Sequence, residues 1–422
     1  MKFKKKTLKN GLRIVTVPIP ETFTATILVL VDAGSKYETK EINGLSHFLE
    51  HMCFKGTKKR PRAIDISREL DGVGAQYNAF TGQEYTGYFA KAGFRQLPKM
   101  IDVVSDIYLH PVFNEAEIEK EKGVIVEEIN MYEDMPSRHV QDIFTELLYG
   151  DQPAGWNIAG EKKIVKKMTR EDFIKYRSEH YVASGTTIVV AGRFDEKKII
   201  NLIEKKFAPI STSRKHSKKK VIEKQSKPAL LLEYKKTDQA HLVIGFRSYG
   251  IKHKSQPILN VMADVLGGGM SSRLFQKLRE EMGVGYYVRA YEDSSTDHGV
   301  FQVSTGVDTK RVPEVMRAIL NEYKLLTKEL VSDEELKRAK DHLIGNMYLE
   351  LESSDERAIF YGMQEVLKKT SVTPSEMVKQ IKKATPAQIR RVAQNIFKNA
   401  GLNMAIIGPY KNKKMLLKDL KL

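Results

Sequence analysis

Cysteine and tryptophan are almost absent from this chain of 422 residues, with one of each. A lone thiol, Cys53, excludes an internal disulfide framework and any multi-thiolate zinc finger. Long apolar runs are also missing. The best, residues 25–31, is strand-sized and far short of the roughly 18 residues a membrane helix needs, so no membrane partner is expected. The start, Met1 to Lys6, is basic, but polar Lys9, Asn10 and Arg13 follow where a signal peptide would turn apolar. The expected location is therefore cytoplasmic. Acidic residues are in deficit: 53 Asp and Glu against 70 Lys and Arg leave a net charge of +17. That excess invites a nucleic-acid reading. Yet its densest cluster, Arg214 to Lys220, carries no aromatic residue to stack on a base, and it lies in a stretch poor in large apolar residues. A solvated linker explains it better, and no nucleic-acid partner is expected. The 41% hydrophobic content is too high for a disordered chain, and the length predicts two to four domains.

Internal repetition is present. Thr169–Gly192 lies on Thr385–Gly408 without a gap, at an offset of 216 residues. In each copy a Thr-capped helix leads through a turn to a short buried strand that glycine closes. Leu97-Pro98 and Val312-Pro313 each open an apolar-periodic helix, and Asn114 and Ser332 each cap a long one. These matches predict two halves of similar fold, 1–208 and 229–422, joined by a basic linker at 209–228. In the first half, the pattern predicts a strand pair around Asn10-Gly11 and a near-continuous apolar strand over 24–32. Helices are expected near 43–55 and 63–73, then a strand over 85–92 and helices over 96–109 and 114–148. The expected class is α+β: in each half, helices layered on a mostly antiparallel sheet.

One constellation carries chemistry. His47-Phe48-Leu49-Glu50-His51 reads H-x-x-E-H. On a helix, positions i and i+4 lie about 40° apart around the axis and roughly 6 Å along it, so both imidazoles can reach one metal ion. Glu50 then sits within reach of water at that metal, in the order reversed from H-E-x-x-H. A catalytic zinc needs a third protein ligand and one open position. The long helix 114–132 is the best source. Glu121 and Glu128, two turns apart, share a stripe with Ile118, Ile125 and Tyr132, where a carboxylate is costly to bury unless paired or bound to metal. Glu127 points about 100° away. At the matching positions of the second half stand Ala339 and Asn346, and that half has no H-x-x-E-H. One half is built to hold metal and its twin is not.

The motif and its continuation, Met52-Cys53-Phe54-Lys55-Gly56-Thr57, resemble the zinc motif of the pitrilysin/insulinase metallopeptidases. The likeness is strongest to mitochondrial processing peptidase and its bacterial relatives. Ile118 to Glu121 and Glu127 to Ile129 resemble that family's second signature. The resemblance implies Glu128 as the third zinc ligand, with Glu127 the alternative because family spacing varies by about one. It makes Glu121 the carboxylate that supports a ligand histidine. Tyr77-Asn78-Ala79-Phe80-Thr81 resembles the segment whose edge strand lies beside the active site, so Asn78 and Ala79 are implied to bind substrate backbone. Ser271 to Phe275, with Arg279 and Tyr286, resembles the second-domain motif that holds substrate. The intervening 282–285 would break a helix, so spacing alone says nothing of that pair.

The resemblance implies one zinc ion per chain and two halves forming a clamshell chamber. The expected activity is an endopeptidase acting on short or unfolded peptides, with Glu50 as general base. It also implies a homodimer, or a hetero-oligomer with an inactive homologue. The competing expectation is a non-catalytic core-type or scaffold subunit of the same fold.

Overall fold

The computed structural model describes residues 3–422, apart from the Met415 side chain, so Met1 and Lys2 of the basic start lie outside the described residues. The Asn10-Gly11 turn joins β1 (Lys4–Thr7) to β2 (Arg13–Pro18), with Gly11 at φ +89°. With β3 (Thr24–Val31), β4 (Gln76–Thr81), β5 (Thr86–Gly93) and β6 (Thr186–Gly192), they form a sheet ordered β1-β2-β6-β3-β5-β4. The second sheet comprises β7 (Ala229–Tyr234), β8 (Gln239–Ser248), β9 (Tyr287–Ser294), β10 (Gly299–Asp308) and β11 (Asn403–Gly408), ordered β7-β11-β8-β10-β9. The run β2-β6-β3-β5-β4 repeats in that order and pairing: one parallel pair, β2–β6 or β7–β11, followed by antiparallel neighbours. The sequence repeat is thus a repeat of topology. Its caps match as well. The helices Arg170–His180 and Pro386–Ile396 begin at Thr169 and Thr385, whose backbone N–H groups donate to Asp172 (2.8 Å) and Gln388 (3.0 Å) three residues on.

Both faces of each sheet are covered, which is why the strands read as continuous apolar runs. In the first sheet Ile27, Val29 and Val31 face a core shared with the helices Leu45–Cys53 and Leu97–Leu109. Leu28 and Leu30 point the other way, where Gly362 of the helix Ser354–Lys368 comes so close that a Cβ would meet Leu30 at 2.5 Å. In the second sheet Leu242 and Ile244 join one core, while Val243 packs with Val140, Ile143 and Phe144 of the helix Pro136–Tyr149. Each such side chain contributes roughly 1.5–3 kcal/mol on burial, so the covering helices are integral to their sheets. The compact units are accordingly discontinuous in sequence. One takes the chain as far as Ile129, with Trp156–Lys219 and Tyr348–Pro374; the other takes Asn130–Gly155, Lys220–Met347 and Ser375–Leu422.

One expectation needs correcting. The helix expected over 114–148 is two helices, Glu115–Glu133 and Pro136–Tyr149. Proline at 136 cannot donate a helical hydrogen bond and disfavours helical backbone at the residue before it, Met135, which adopts φ −106°, ψ 87°. Most of the basic linker is exposed, with two of its lysines engaged. Lys215 lies over the Tyr37 ring at 4.3 Å, and Lys218 pairs with Glu84 with only 16% of its side chain exposed.

Close by, His180 is 3% exposed and its Nδ1 has no hydrogen-bond partner among the described residues. Burial, with Lys215 and His216 adding to it, pushes the imidazole down to about 3. The folded state therefore holds it neutral, while the unfolded chain protonates it near pH 6.5. Stability from this group is complete above that value and is lost as pH falls towards 3, at up to about 1.4 kcal/mol per pH unit. Urea unfolding of wild type and His180→Phe at pH 6.5, 5.5 and 4.5 should show the difference between them narrowing or reversing as pH falls. Parallel curves would contradict this.

Candidate metal centre

The helix Leu45–Cys53 is anchored by Leu45, Phe48, Leu49, Met52 and Cys53, none more than 1% exposed. His47, Glu50 and His51 occupy its other side, half-buried. The facing helix, Glu115–Glu133, is capped by Asn114, whose Oδ1 accepts from the Ala116 N–H at 2.9 Å. It buries Ile118, Glu121, Ile125 and Ile129. Glu128 Oε2 lies 3.6 Å from His47 Nε2 and 3.6 Å from His51 Nε2. Among the described residues, His47, His51 and Glu128 are the group of acidic, His and Cys side chains able to hold a metal ion, with their donor atoms within 4.8 Å of one another. Tetrahedral zinc with bonds of about 2.0–2.1 Å would set its ligand atoms roughly 3.3–3.4 Å apart, and two nitrogens with one carboxylate oxygen is a catalytic donor set that leaves one position open. The side chains fit that ion. Glu128, rather than Glu127, brings its carboxylate to the two histidines.

Each donor has a distinct electrostatic setting. Burial pushes His47 down to about 4, and the neighbouring His51 adds to this, so its imidazole is neutral and available as a ligand. Burial acts on His51 in the same direction. Its Nδ1, however, donates to Glu121 Oε1 at 2.9 Å, and the carboxylates of Glu121, Glu50 and Glu128 hold it above the ordinary histidine value. That hydrogen bond fixes the tautomer and leaves Nε2 free towards Glu128. Burial would raise Glu121, but His51 and Lys55, whose Nζ lies 2.5 Å from Oε2, hold its carboxyl below the usual range. Lys55 thus completes a chain from lysine through Glu121 to His51. Glu50 is pushed up by burial against a 2.5 Å hydrogen bond donated by Thr81 Oγ1.

Thr81 ends β4, which is the outer strand of its sheet and, among the described residues, pairs only with β5. Tyr77 and Ala79 pack towards the core and Thr81 follows at the same parity, which brings its hydroxyl to Glu50. Asn78 points the other way, exposed, its Oδ1 accepting from the Ala79 N–H at 2.9 Å. Thr81 and Lys55 stood within the motif stretches but had no sequence-based role. The available signals were strand parity with Ala79 and the i+4 spacing of Lys55 from His51.

In the second unit, Arg279 lies on a widened helical turn, Gln276–Glu281. The break at 282–285 occurs as expected, with Gly283 and Gly285 at φ +62° and +93°. It returns the chain so that Arg279 Nη1 approaches the Tyr286 carbonyl at 3.4 Å, and both side chains are exposed. Where the unit with the donor set has Glu121 and Glu128, the helix Asp333–Glu350 has a buried Ala339 and an exposed Asn346. Asn346 donates to His342, whose Nδ1 lies 2.7 Å from Asp264.

Comparison with known proteins matches residues 13–162 to the family described as "Insulinase (Peptidase family M16)" and residues 167–343 to the "Peptidase M16 inactive domain". An uncharacterized zinc protease of Bacillus subtilis, YmxG, is 33% identical over 97% of this chain and 99% of its own. An uncharacterized zinc protease of Streptomyces coelicolor is 32% identical over 97% of this chain and 90% of its own. Among solved structures, a protease from Helicobacter pylori superposes with a TM-score of 0.91 at 23% identity, covering 97% of this chain and 99% of that one, a likeness of fold.

Proposed function

The chain belongs to the insulinase family of peptidases (peptidase family M16), and from that membership we propose that it is a zinc-dependent endopeptidase that hydrolyses short or unfolded peptides. The observation that carries this reading is an intact Glu50 beside a complete donor set of His47, His51 and Glu128. Bound by those three side chains, one zinc ion per chain would supply Lewis acidity and make water in its open position easier to deprotonate. Glu50 takes the water proton on its carboxylate and returns it to the leaving amine. Thr81 holds the Glu50 carboxylate by its hydroxyl, and Glu121 with Lys55 holds His51 in the ligating tautomer. The outer edge of β4, where the Ala79 N–H would exchange its Asn78 acceptor for a substrate carbonyl, offers main-chain pairing to an extended peptide, which selects for unfolded substrates with little demand on sequence. Arg279 and Tyr286 are the second substrate-binding pair in this reading, steadying the peptide chain.

The alternative, a non-catalytic subunit of a hetero-oligomer, draws on the inactive-domain match. That match spans residues 167–343, which include none of the donors His47, His51 and Glu128, and an inactive subunit would have no use for Glu50. A cytoplasmic homodimer is the assembly proposed; no described helix is long and apolar enough to cross a membrane. Mass spectrometry of an unstructured peptide library incubated with the protein tests the whole reading. Cleavage should occur, stop when a chelator removes zinc, and return to within about twofold when zinc is restored. No cleavage by zinc-loaded protein would move the assignment to the subunit.

A further inference from the structure

The start of the metal helix poses a problem that its own sequence does not solve. A helix exposes unpaired N–H groups in its first turn, and a Ser, Thr, Asp or Asn at the cap position normally accepts from the second or third of them. Here the cap position is Gly44, at φ +99°. No side chain fits there: a Cβ would lie 2.6 Å from the Ala159 carbonyl oxygen and 2.9 Å from Gly160 Cα. The helix is pressed against a neighbouring loop at the point where a cap should stand.

Glu38 reaches that point from six residues upstream. Its Oε1 accepts from the Ser46 N–H at 2.6 Å, and its Oε2 accepts from the Gly44 N–H at 2.8 Å and from Asn43 Nδ2 at 3.1 Å. Asn43 also donates to the Asn157 carbonyl at 3.1 Å, which ties the same carboxylate to the 157–160 loop. Glu38 is 3% exposed. Burial pushes its carboxyl up to about 7, with the hydrogen bonds from Ser46, Gly44 and Asn43 pulling it back. A negative group at a helix N-terminus is also favoured by the aligned peptide dipoles. A second tether acts on the same residue: Ser46 Oγ lies 2.7 Å from the Tyr176 hydroxyl, which donates to the Gly34 carbonyl at 3.2 Å.

We propose that Glu38 is the positioning residue of the metal helix: its carboxylate replaces the capping side chain that Gly44 cannot carry and so fixes where His47 and His51 present their ring nitrogens. His47 directly follows Ser46, the residue whose N–H is held. At a side-chain radius of roughly 5–6 Å, a helix rotation of about 10° moves a ring nitrogen by on the order of 1 Å. Metal ligation tolerates deviations of only about 0.2 Å. Losing the cap should therefore be felt at the metal before it is felt by the fold, which the five buried apolar residues of the helix hold in place.

This rests on the zinc-peptidase reading, and the experiment separates the two. Zinc affinity is measured at pH 8 by competition with a chromophoric chelator, for wild type and for E38Q, in which an amide replaces one acceptor by a donor. Cobalt-substituted samples report ligand geometry through their visible bands, and thermal unfolding of the metal-free proteins reports stability. E38Q is expected to bind zinc about 10–100-fold more weakly, the usual effect of losing a group behind a ligand, with shifted cobalt bands. E38D keeps both oxygens on a shorter side chain and is expected to fall between the two; it carries the test if E38Q does not fold. Unchanged affinity and bands in the folded variant overturn the proposal, as does a lower unfolding midpoint with zinc binding intact, because that is a purely structural role. If wild type itself binds no zinc, the peptidase reading falls and this proposal falls with it.

Discussion

Glu50→Gln is expected to lower kcat/KM for peptide cleavage by roughly 10²–10⁴-fold, the range that positioned proton transfer contributes. The lower end corresponds to about 2.7 kcal/mol of transition-state stabilisation. Glutamine has the size of glutamate and can still accept the Thr81 hydroxyl, so the helix should keep its place. What it lacks is a basic oxygen. Glu50 belongs to none of the donor pairs around Glu128, so metal analysis should find the same zinc content in both proteins. KM should change little, because in the proposed reading strand pairing, and not this carboxylate, holds the peptide. Steady-state kinetics on one fluorogenic peptide, with zinc measured on the same samples, tests this directly. A variant as active as wild type would remove Glu50 from the chemistry.

Glu128→Ala is expected to cost zinc itself, by more than the 10–100-fold typical of losing a group behind a ligand, and activity should fall with it. Glu127→Ala should leave both within a few-fold. The contrast is sharp because the two residues are neighbours with similar intrinsic effects on the helix, so propensity cancels. Only Glu128 stands 3.6 Å from both imidazoles. Its side chain is 22% exposed, which makes truncation tolerable for folding and the loss of metal interpretable. If Glu127→Ala proved to be the variant that loses zinc, the ligand assignment would pass to it.

The H-x-x-E-H element was readable because its geometry is local: one helical turn brings both imidazoles and the glutamate to one side. The carboxylates of the second helix were readable as polar interruptions of an apolar stripe, which Glu128 shares and Glu127 does not, whereas the family likeness admitted either spacing. Thr81 and Glu38 were not readable. Their partners, Glu50 and the Ser46 N–H, are set by how a strand edge and a loop pack on the metal helix, which no periodicity encodes. The break before Pro136 was available from the proline itself, but the apolar period continues through it and hid the change of element. The repeated topology was visible as two faint alignments because caps, turn glycines and strand parity recur at fixed spacing. The helices Pro136–Tyr149 and Ser354–Lys368 each advertise an apolar face, but amphipathicity does not say which sheet will receive it.

That last feature has a consequence for synthesis. The central strand β3 leaves the ribosome early, and β6 completes the hydrogen bonding of the first sheet at Gly192. The helix that covers Leu28 and Leu30 ends at Lys368. At about 5–20 residues per second, a sheet that pairs as its strands emerge would wait with one bare apolar face for on the order of 10–35 s. During that interval the nascent protein would expose Leu28 and Leu30 without their cover, a surface that a chaperone could shield. Each compact unit draws chain from both sides of the basic linker, so cutting that linker in the finished protein should leave two fragments that stay together until they unfold.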